Sequence, residues 1–343
     1  MPVALLASAL SVAACQSTVG VGSDPKSAVQ GDATPASSPQ HSGEDKPAGT
    51  LVDFPAEVSD MAVVDEILAV RSAESLSIGT AADFSAQEAT ELPVNKECGD
   101  LTASDKHFVL ACGDRVLLID PGAPDSPQEI AMEEDSPVTV AAELSTGELF
   151  VGSHESTTIA LYKDGAREDD LSVEDGSDQL IPVPNASGPD SLVRMLRADS
   201  TVQTVDWQND RAGGRLRVGQ GVGQISAGEG SVVVASDVVG KRLAIYTADD
   251  VVRLHQYGNT EGTPWAVAWD SPRQLAWVTT TDNNQLHAYK VASGVPELSG
   301  TLLTIKDAQN IAVLGDGTLV TASATGDGLQ FITPDTLDGE LEK

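Results

Sequence analysis

PWAVAWDSPRQLAWVTTTDNNQLHAYKV, residues 264–291, alternates three short β-type runs with two tight turns. Val, Leu, Thr and the aromatics suit a pleated, half-buried surface, and the Asp, Ser and Asn between them suit tight connections. The same plan recurs about every 42 residues. The last apolar residue of the third run in each unit falls at Ile78, Ile119, Tyr162, Val205, Tyr246, Tyr289 and Ile332, in steps of 41, 43, 43, 41, 43 and 43. One small sheet cannot bury both faces alone, so copies at this period must flank one another. The spacing predicts an all-β, seven-bladed propeller of four-stranded antiparallel blades over 51–343, the quoted stretch being blade six.

Other units follow the same order. In the third, strands are expected over 138–144, 148–154 and 158–162, with an outer strand near 170–173; in the fifth, over 222–227, 231–236, 242–246 and 251–257. Two units fit less well. Pro182 and Pro184 predict an irregular inner strand in the fourth, since proline removes a ladder hydrogen bond, and the first shows no clear boundary between strands around 60–66. The ring can close in two ways, through 339–342 as a last outer strand or through residues near Leu51 pairing with the final blade.

Trp277-Val278-Thr279-Thr280, then Asp282-Asn283-Asn284 and Leu286–Tyr289, resemble the Tyr-Val-Thr-Asn repeat of the YncE-like seven-bladed propellers, and Thr263–Ala268 resembles the segment before that repeat. The resemblance covers this one blade well and the others loosely. It implies the propeller fold; the superfamily includes binding proteins, lactonases and quinoprotein enzymes, and fold alone does not choose among them.

Residues 2–14 form an apolar run too short to span a bilayer, which reads as a signal-peptide core. Leu10-Ser11-Val12-Ala13-Ala14-Cys15 resembles the bacterial lipobox, implying diacylation of Cys15 and anchoring at the outer face of a bacterial cell membrane. No basic residue precedes the run, so a start further upstream is expected. From 16 to about 50 the chain is Ser, Gly, Pro, Ala, Thr and Asp, with too little apolar surface to offset the cost of ordering, and a disordered tether is expected.

The net charge is −32, from 52 acidic against 20 basic residues, which repels phosphate backbones and anionic lipid headgroups and makes nucleic acid an improbable ligand. The acid either attracts a basic partner or keeps an exported chain soluble. Of the three cysteines, Cys98 and Cys112 stand in two copies of Cys-Gly-Asp. The fold places them between the first and second blades, where a disulfide closes a loop of about 15 residues, worth about 3 kcal/mol in the chain-entropy model. An oxidising compartment permits it.

Searches for chemistry find no Gly-x-Ser-x-Gly elbow, no phosphate-cradling loop, no zinc-protease pair at His154-Glu155 and no calcium loop at Asp282-Asn283-Asn284. The histidines are scattered over separate units, and no metal or cofactor is expected. The acidic run 168–170 and the group Glu174, Asp175, Asp178 read as charged outer edges that discourage sheet pairing.

A binding surface is expected on the face built by the loops that join second to third strands and outer to next inner strands. Its candidates are His154, Asp237, Trp265, Asp282 and Asn283. Trp265 stands at a loop-to-strand junction by the channel, where it either stacks on a sugar or peptide or simply packs between blades. The leading expectation is a non-enzymatic platform for a protein or cell-envelope ligand. The alternative is a propeller hydrolase or lactonase on a sugar or acyl substrate. An apolar, closed channel would exclude the enzyme; two or more carboxylates or histidines converging within hydrogen-bonding reach in the cavity would count for the enzyme and against the platform.

Overall fold

A computed structural model describes residues 31–41, 46–133, 135–293 and 295–341. The expected signal peptide and Cys15 lie outside them. Seven four-stranded antiparallel sheets ring a central channel. Blade 1 is Asp60–Val64, Ile67–Arg71, Ser75–Gly79 and Thr90–Pro93; blade 2 is Leu101–Ala103, Phe108–Ala111, Arg115–Ile119 and Gln128–Ala131. Blade 3 is Val140–Glu143, Leu149–Gly152, Thr158–Lys163 and Ala166–Ser172; blade 4 is Gln179–Val183, Ser191–Leu196, Thr201–Asp206 and Arg211–Arg217. Blade 5 is Val222–Gly228, Val232–Asp237, Arg242–Thr247 and Arg253–Asn259; blade 6 is Pro264–Asp270, Leu275–Thr280, Gln285–Lys290 and Glu297–Leu303. Blade 7 takes Ala308–Val313, Leu319–Ser323 and Leu329–Ile332 from the end of the chain and Thr50–Val52 from its beginning.

Every one of the seven residues that carried the period lies in a third strand. The energetic reason for the period is visible in the core. Apolar clusters sit at each of the seven blade boundaries, for example Met195 and Val202 of blade 4 against Val233 and Tyr246 of blade 5, or Trp277 and Leu286 of blade 6 against Leu319 and Ile332 of blade 7. Each sheet buries its faces only against its neighbours, as a stacked repeat requires. Trp277 is fully buried, and its indole N–H donates to Asp270 at 3.0 Å, so the polar edge of the ring is satisfied inside the seam.

The two doubtful units are regular. Pro182 pairs with Leu192 in an unbroken register, because an inner strand is an edge strand and proline is tolerated where its nitrogen faces away from the ladder. In blade 1 the boundary is a two-residue turn, Asp65-Glu66, with Asp65 at φ 52° and Val64 opposite Ile67. Aspartate tolerates that left-handed backbone better than most residues.

The ring closes through the N-terminal side. Thr50, Leu51 and Val52 pair with Phe331, Gln330 and Leu329, while 334–341 is helical and packs on the outer strand of blade 6. Buried Gln330 stitches the closure. Its carbonyl oxygen accepts from Thr321 Oγ1 at 2.9 Å and Ile305 N at 3.1 Å, and its amide donates to the carbonyls of Ala48 and Leu303, both at 2.9 Å. A short helix, Ala81–Ala86, started by a reciprocal Thr80–Asp83 capping box, sets Phe84 against Phe54 and Phe331 at the same seam.

The tether expectation needs correcting over part of its length. Residues 31–41, read from composition as disordered, lie as a strap across the propeller. Gly31 N donates to Gln220 O at 3.0 Å and Asp32 N to Arg197 O at 2.9 Å. Ser38 Oγ donates to Thr281 O at 2.7 Å and accepts from Asp307 N at 3.0 Å, and Asn284 Nδ2 donates to Pro39 O at 2.9 Å. Gly31 has φ 95°, and a Cβ there would stand 1.9 Å from Ala198 O, so only glycine fits. Low apolar content rules out an independent core; it does not rule out docking on a surface that supplies the partners.

Cys98 and Cys112 are disulfide-bonded, joining the loop before blade 2 to the end of its second strand.

Candidate functional site

The strap runs over the very face nominated for binding. It passes blade 4 at Arg197, blade 5 at Gln220 and Val238, blade 6 at Trp265, Thr281 and Asn284, and blade 7 at Asp307. Ala33 is buried on Val238, Trp265 and Ala266, with Ile311 alongside. Trp265 is therefore 9% exposed. It packs against the chain's own strap and leaves only an edge to the channel mouth.

The other nominated residues are engaged internally. Asp237 is fully buried: Oδ1 accepts from Gln220 N, Gly221 N and Gly240 N at 2.9, 3.2 and 3.0 Å, and Oδ2 takes Nε and Nη2 of Arg242 at 3.0 and 2.6 Å. It organises the turn 237–242 and has no lone pair left for a ligand. Asp282 accepts from Thr263 N at 2.6 Å, Thr263 Oγ1 at 2.7 Å and Lys241 Nζ at 3.2 Å, which hold its carboxyl below the usual range despite partial burial. Asn283 bonds Thr280, Glu261 and Gln285. His154 is exposed on blade 3, apart from the others, with Nδ1 3.2 Å from Thr139 Oγ1. The structure brings Asp237, Asp282, Asn283 and Trp265 to one sector of the face, blades 5 and 6, as turn-forming and packing residues.

His287 is fully buried between Thr280 Oγ1 and Thr301 Oγ1, both at 3.0 Å, and burial lowers its pKa, so it stays neutral. Ser104, His107 and Glu143 have the composition of a hydrolytic triad. Yet the hydroxyl and the imidazole both bond the same oxygen of Glu143, at 2.7 and 2.8 Å, and Ser104 Oγ also accepts from Lys106 N and His107 N. No imidazole stands between nucleophile and carboxylate there.

The convergent groups lie elsewhere, in the channel. Its wall is formed by inner strands and encloses a cavity of about 350 Å³, which includes Asp60, Asp100, Arg197, Gln224 and Asn310. A wider mouth of about 630 Å³ is bounded by Glu57, Arg71, Lys96, Arg197, Gln224 and Trp265. Ser59, Arg197, Gln224 and Asn310 line both, so mouth and channel are continuous.

Within it, Asp60 of blade 1 meets Asp100 at the entry to blade 2. Asp60 accepts from Met61 N and Leu101 N at 2.8 Å each. Oδ2 of Asp100 receives no N–H or hydroxyl, and its carboxyl lies against that of Asp60. Burial pushes Asp100 well above the ordinary carboxylate range, the neighbouring Asp60 charge pushes it further, and Arg197 and Arg71 oppose the rise. Burial raises Asp60 too, against its two backbone donors. Two carboxyls this close resist ionising together. Arg71 is 8% exposed; its terminal nitrogens donate to the carbonyls of Cys98 and Gly99, and its Nε has no acceptor. Arg197 donates Nε to Gly223 O at 3.0 Å and lies over the Trp265 ring, 5.9 Å from its centroid.

Asp60, Arg71 and Asp100 were not singled out from sequence. Asp60 and Asp100 do stand at matching places in consecutive repeats, each at the start of an inner strand. A repeat-aligned reading would have paired them.

Comparisons with known proteins support the fold. No family model matches the chain, and no curated protein matches it. A chain of the mitotic checkpoint complex aligns at TM-score 0.68 and 14% identity, over 87% of this chain and 95% of that one. The WD40 propeller domain of Doa1 aligns at 0.60 and 14%, over 83% and 95%. A chain of Kuenenia stuttgartiensis hydrazine synthase aligns at 0.63 and 12%, over 87% and 100%. At these identities the likeness is one of architecture alone, the propeller fold.

Proposed function

We propose that this chain is an exported, lipid-anchored propeller of YncE-like kind, acting at the outer face of a bacterial cell membrane as a non-enzymatic binding platform whose ligand site is the channel mouth. The observation that carries the binding role is the contrast between the two parts of one face. On blades 5 and 6 the carboxylates Asp237 and Asp282 are spent on turns, whereas the mouth gathers polar groups around an open cavity, and among the described residues no salt bridge engages its Arg71, Lys96 or Arg197. Unspent polar groups in a concave site are what a ligand can use. The lipobox-like Cys15 and the acidic, disulfide-bonded head support export. Protein partners are in keeping with the fold, since one aligned structure is a chain of the mitotic checkpoint complex.

A second reading has its own observation. The cavity is polar and open, and two carboxyls converge in it with one raised well above its usual range, which is the arrangement a hydrolase or lactonase would need. In that reading Asp100 is the acid and Asp60 its ionised partner. The first reading is preferred because Asp60 is committed to two backbone N–H groups and no nucleophile–base pair faces the cavity among the described residues.

Cross-linking and capture from intact cells, with the native chain beside Arg197→Glu, tests the platform. A partner enriched with the native chain and lost with the variant is expected; a partner retained by the variant moves the site elsewhere. Hydrolysis of sugar lactones that is abolished by Asp100→Asn would establish the enzyme instead. Mass spectrometry of the mature N-terminus tests the anchor, and an unmodified Cys15 in membrane-free protein ends that part of the reading.

A further inference from the structure

We infer that the channel mouth selects a small organic anion, a ligand carrying a carboxylate or phosphate group. The inference rests on the mouth being the ligand site and adds the ligand's chemistry. The first ground is charge. In a chain with 52 acidic and 20 basic residues, Arg71, Lys96 and Arg197 converge on one opening. At the mouth itself only Glu57 stands against them, and burial disfavours ionisation of the Asp60–Asp100 pair deeper in the channel, so cations outnumber carboxylates there on a strongly negative molecule.

The second ground is how these cations are held. Arg71 is nine-tenths buried, fixed by the carbonyls of Cys98 and Gly99, and its Nε lacks an acceptor. Carbonyls take its hydrogen bonds, and Asp60 and Asp100 are the carboxyls that act on its charge. Arg197 is fixed through Nε to Gly223 O and through stacking on Trp265, and its terminal nitrogens make no hydrogen bond or salt bridge with the described residues. That leaves the planar fork which recognises carboxylate and phosphate oxygens. Lys96 adds an exposed point charge at the rim. The strap leaves this side open, since none of its residues borders the mouth.

The third ground is size and reach. A mouth of about 630 Å³ lies within the roughly 300–1,000 Å³ of small-molecule sites. At physiological salt a charge is felt over about 8 Å, so a small anion in the mouth meets the local field. A long polyanion would meet the acidic surface around it and be repelled.

The full chain, titrated calorimetrically with citrate, inorganic phosphate and neutral glycerol, provides the test. One site for citrate or phosphate is expected, weakening with added salt, with glycerol silent. Arg197→Gln should weaken binding about tenfold or more, Arg197→Lys less, and the remote Lys290→Gln not at all, with unfolding midpoints unchanged. Binding of citrate alone assigns a carboxylate ligand, and binding of phosphate alone a phosphoryl one. Failure of both anions to bind up to about 10 mM, or equal affinity in Arg197→Gln and the native chain, overturns the inference. If no anion binds but capture from cells still depends on Arg197, the anion chemistry falls and the site stands. Loss of both results removes the site as well.

Discussion

The guanidinium of Arg71 ends on the backbone carbonyl of Cys98, which is one half of the disulfide, and on that of Gly99 beside it. The covalent link and the buried cation of the channel mouth are thus one unit.

Replacing both cysteines, as Cys98→Ser with Cys112→Ser, should lower global stability by about 3 kcal/mol, the value for a closed loop of this length. Urea unfolding with and without reductant reads the difference. The native chain should move to the variant's midpoint when reduced, and a midpoint indifferent to reductant would count against the bond.

The Asp60–Asp100 pair predicts a pH dependence with a definite sign. Burial raises the folded pKa of Asp100 above its unfolded value. Its contribution is therefore fully present below the unfolded carboxylate range, near pH 3.9, and is lost as pH rises through the folded pKa. Asp100→Asn keeps a donor for Asp60 and carries no charge. The variant should be more stable than the native chain at neutral pH, with the gain vanishing in acid; melting curves across pH check this, and a gain that grows toward acid would contradict the assignment.

Gln330 makes four hydrogen bonds that join the last strand to both Ala48 and blade 6. Gln330→Ala orphans several buried partners at once and should cost at least ~2 kcal/mol. Because the loss falls on the closure, hydrogen exchange of 50–52 and 329–332 should accelerate before that of blades 3 and 4. Uniform acceleration around the ring would show that the closure is not its weak seam.

Ser38 secures the far end of the strap through Thr281 and Asp307. Ser38→Ala should cost about 1–3 kcal/mol locally, appearing as faster proteolysis within 31–41 while the global unfolding midpoint barely moves, as expected for a segment that opens on its own. Release of the strap also uncovers Trp265, so its emission should shift to the red.

The architecture was legible because its signal is local and repeated. A third strand needs an apolar residue at the same place in every blade, and the positions from Ile78 to Ile332 record that demand directly. The disulfide was legible for a similar reason, since the repeat placed Cys98 and Cys112 at neighbouring strand ends. Composition misjudged the strap: it reports how much apolar surface a segment can bury, and 31–41 is held chiefly by hydrogen bonds to loops that composition does not represent. Asp237, Asp282 and Asn283 turn out to spend their bonding capacity on turns, which sequence could not show because that capacity depends on neighbours brought in by the fold, while Trp265 borders the mouth. Only the closed ring brings Arg71, Lys96, Asp100 and Arg197 to one opening. A period in sequence determines which residues recur, while the curvature of seven packed sheets determines which of them meet.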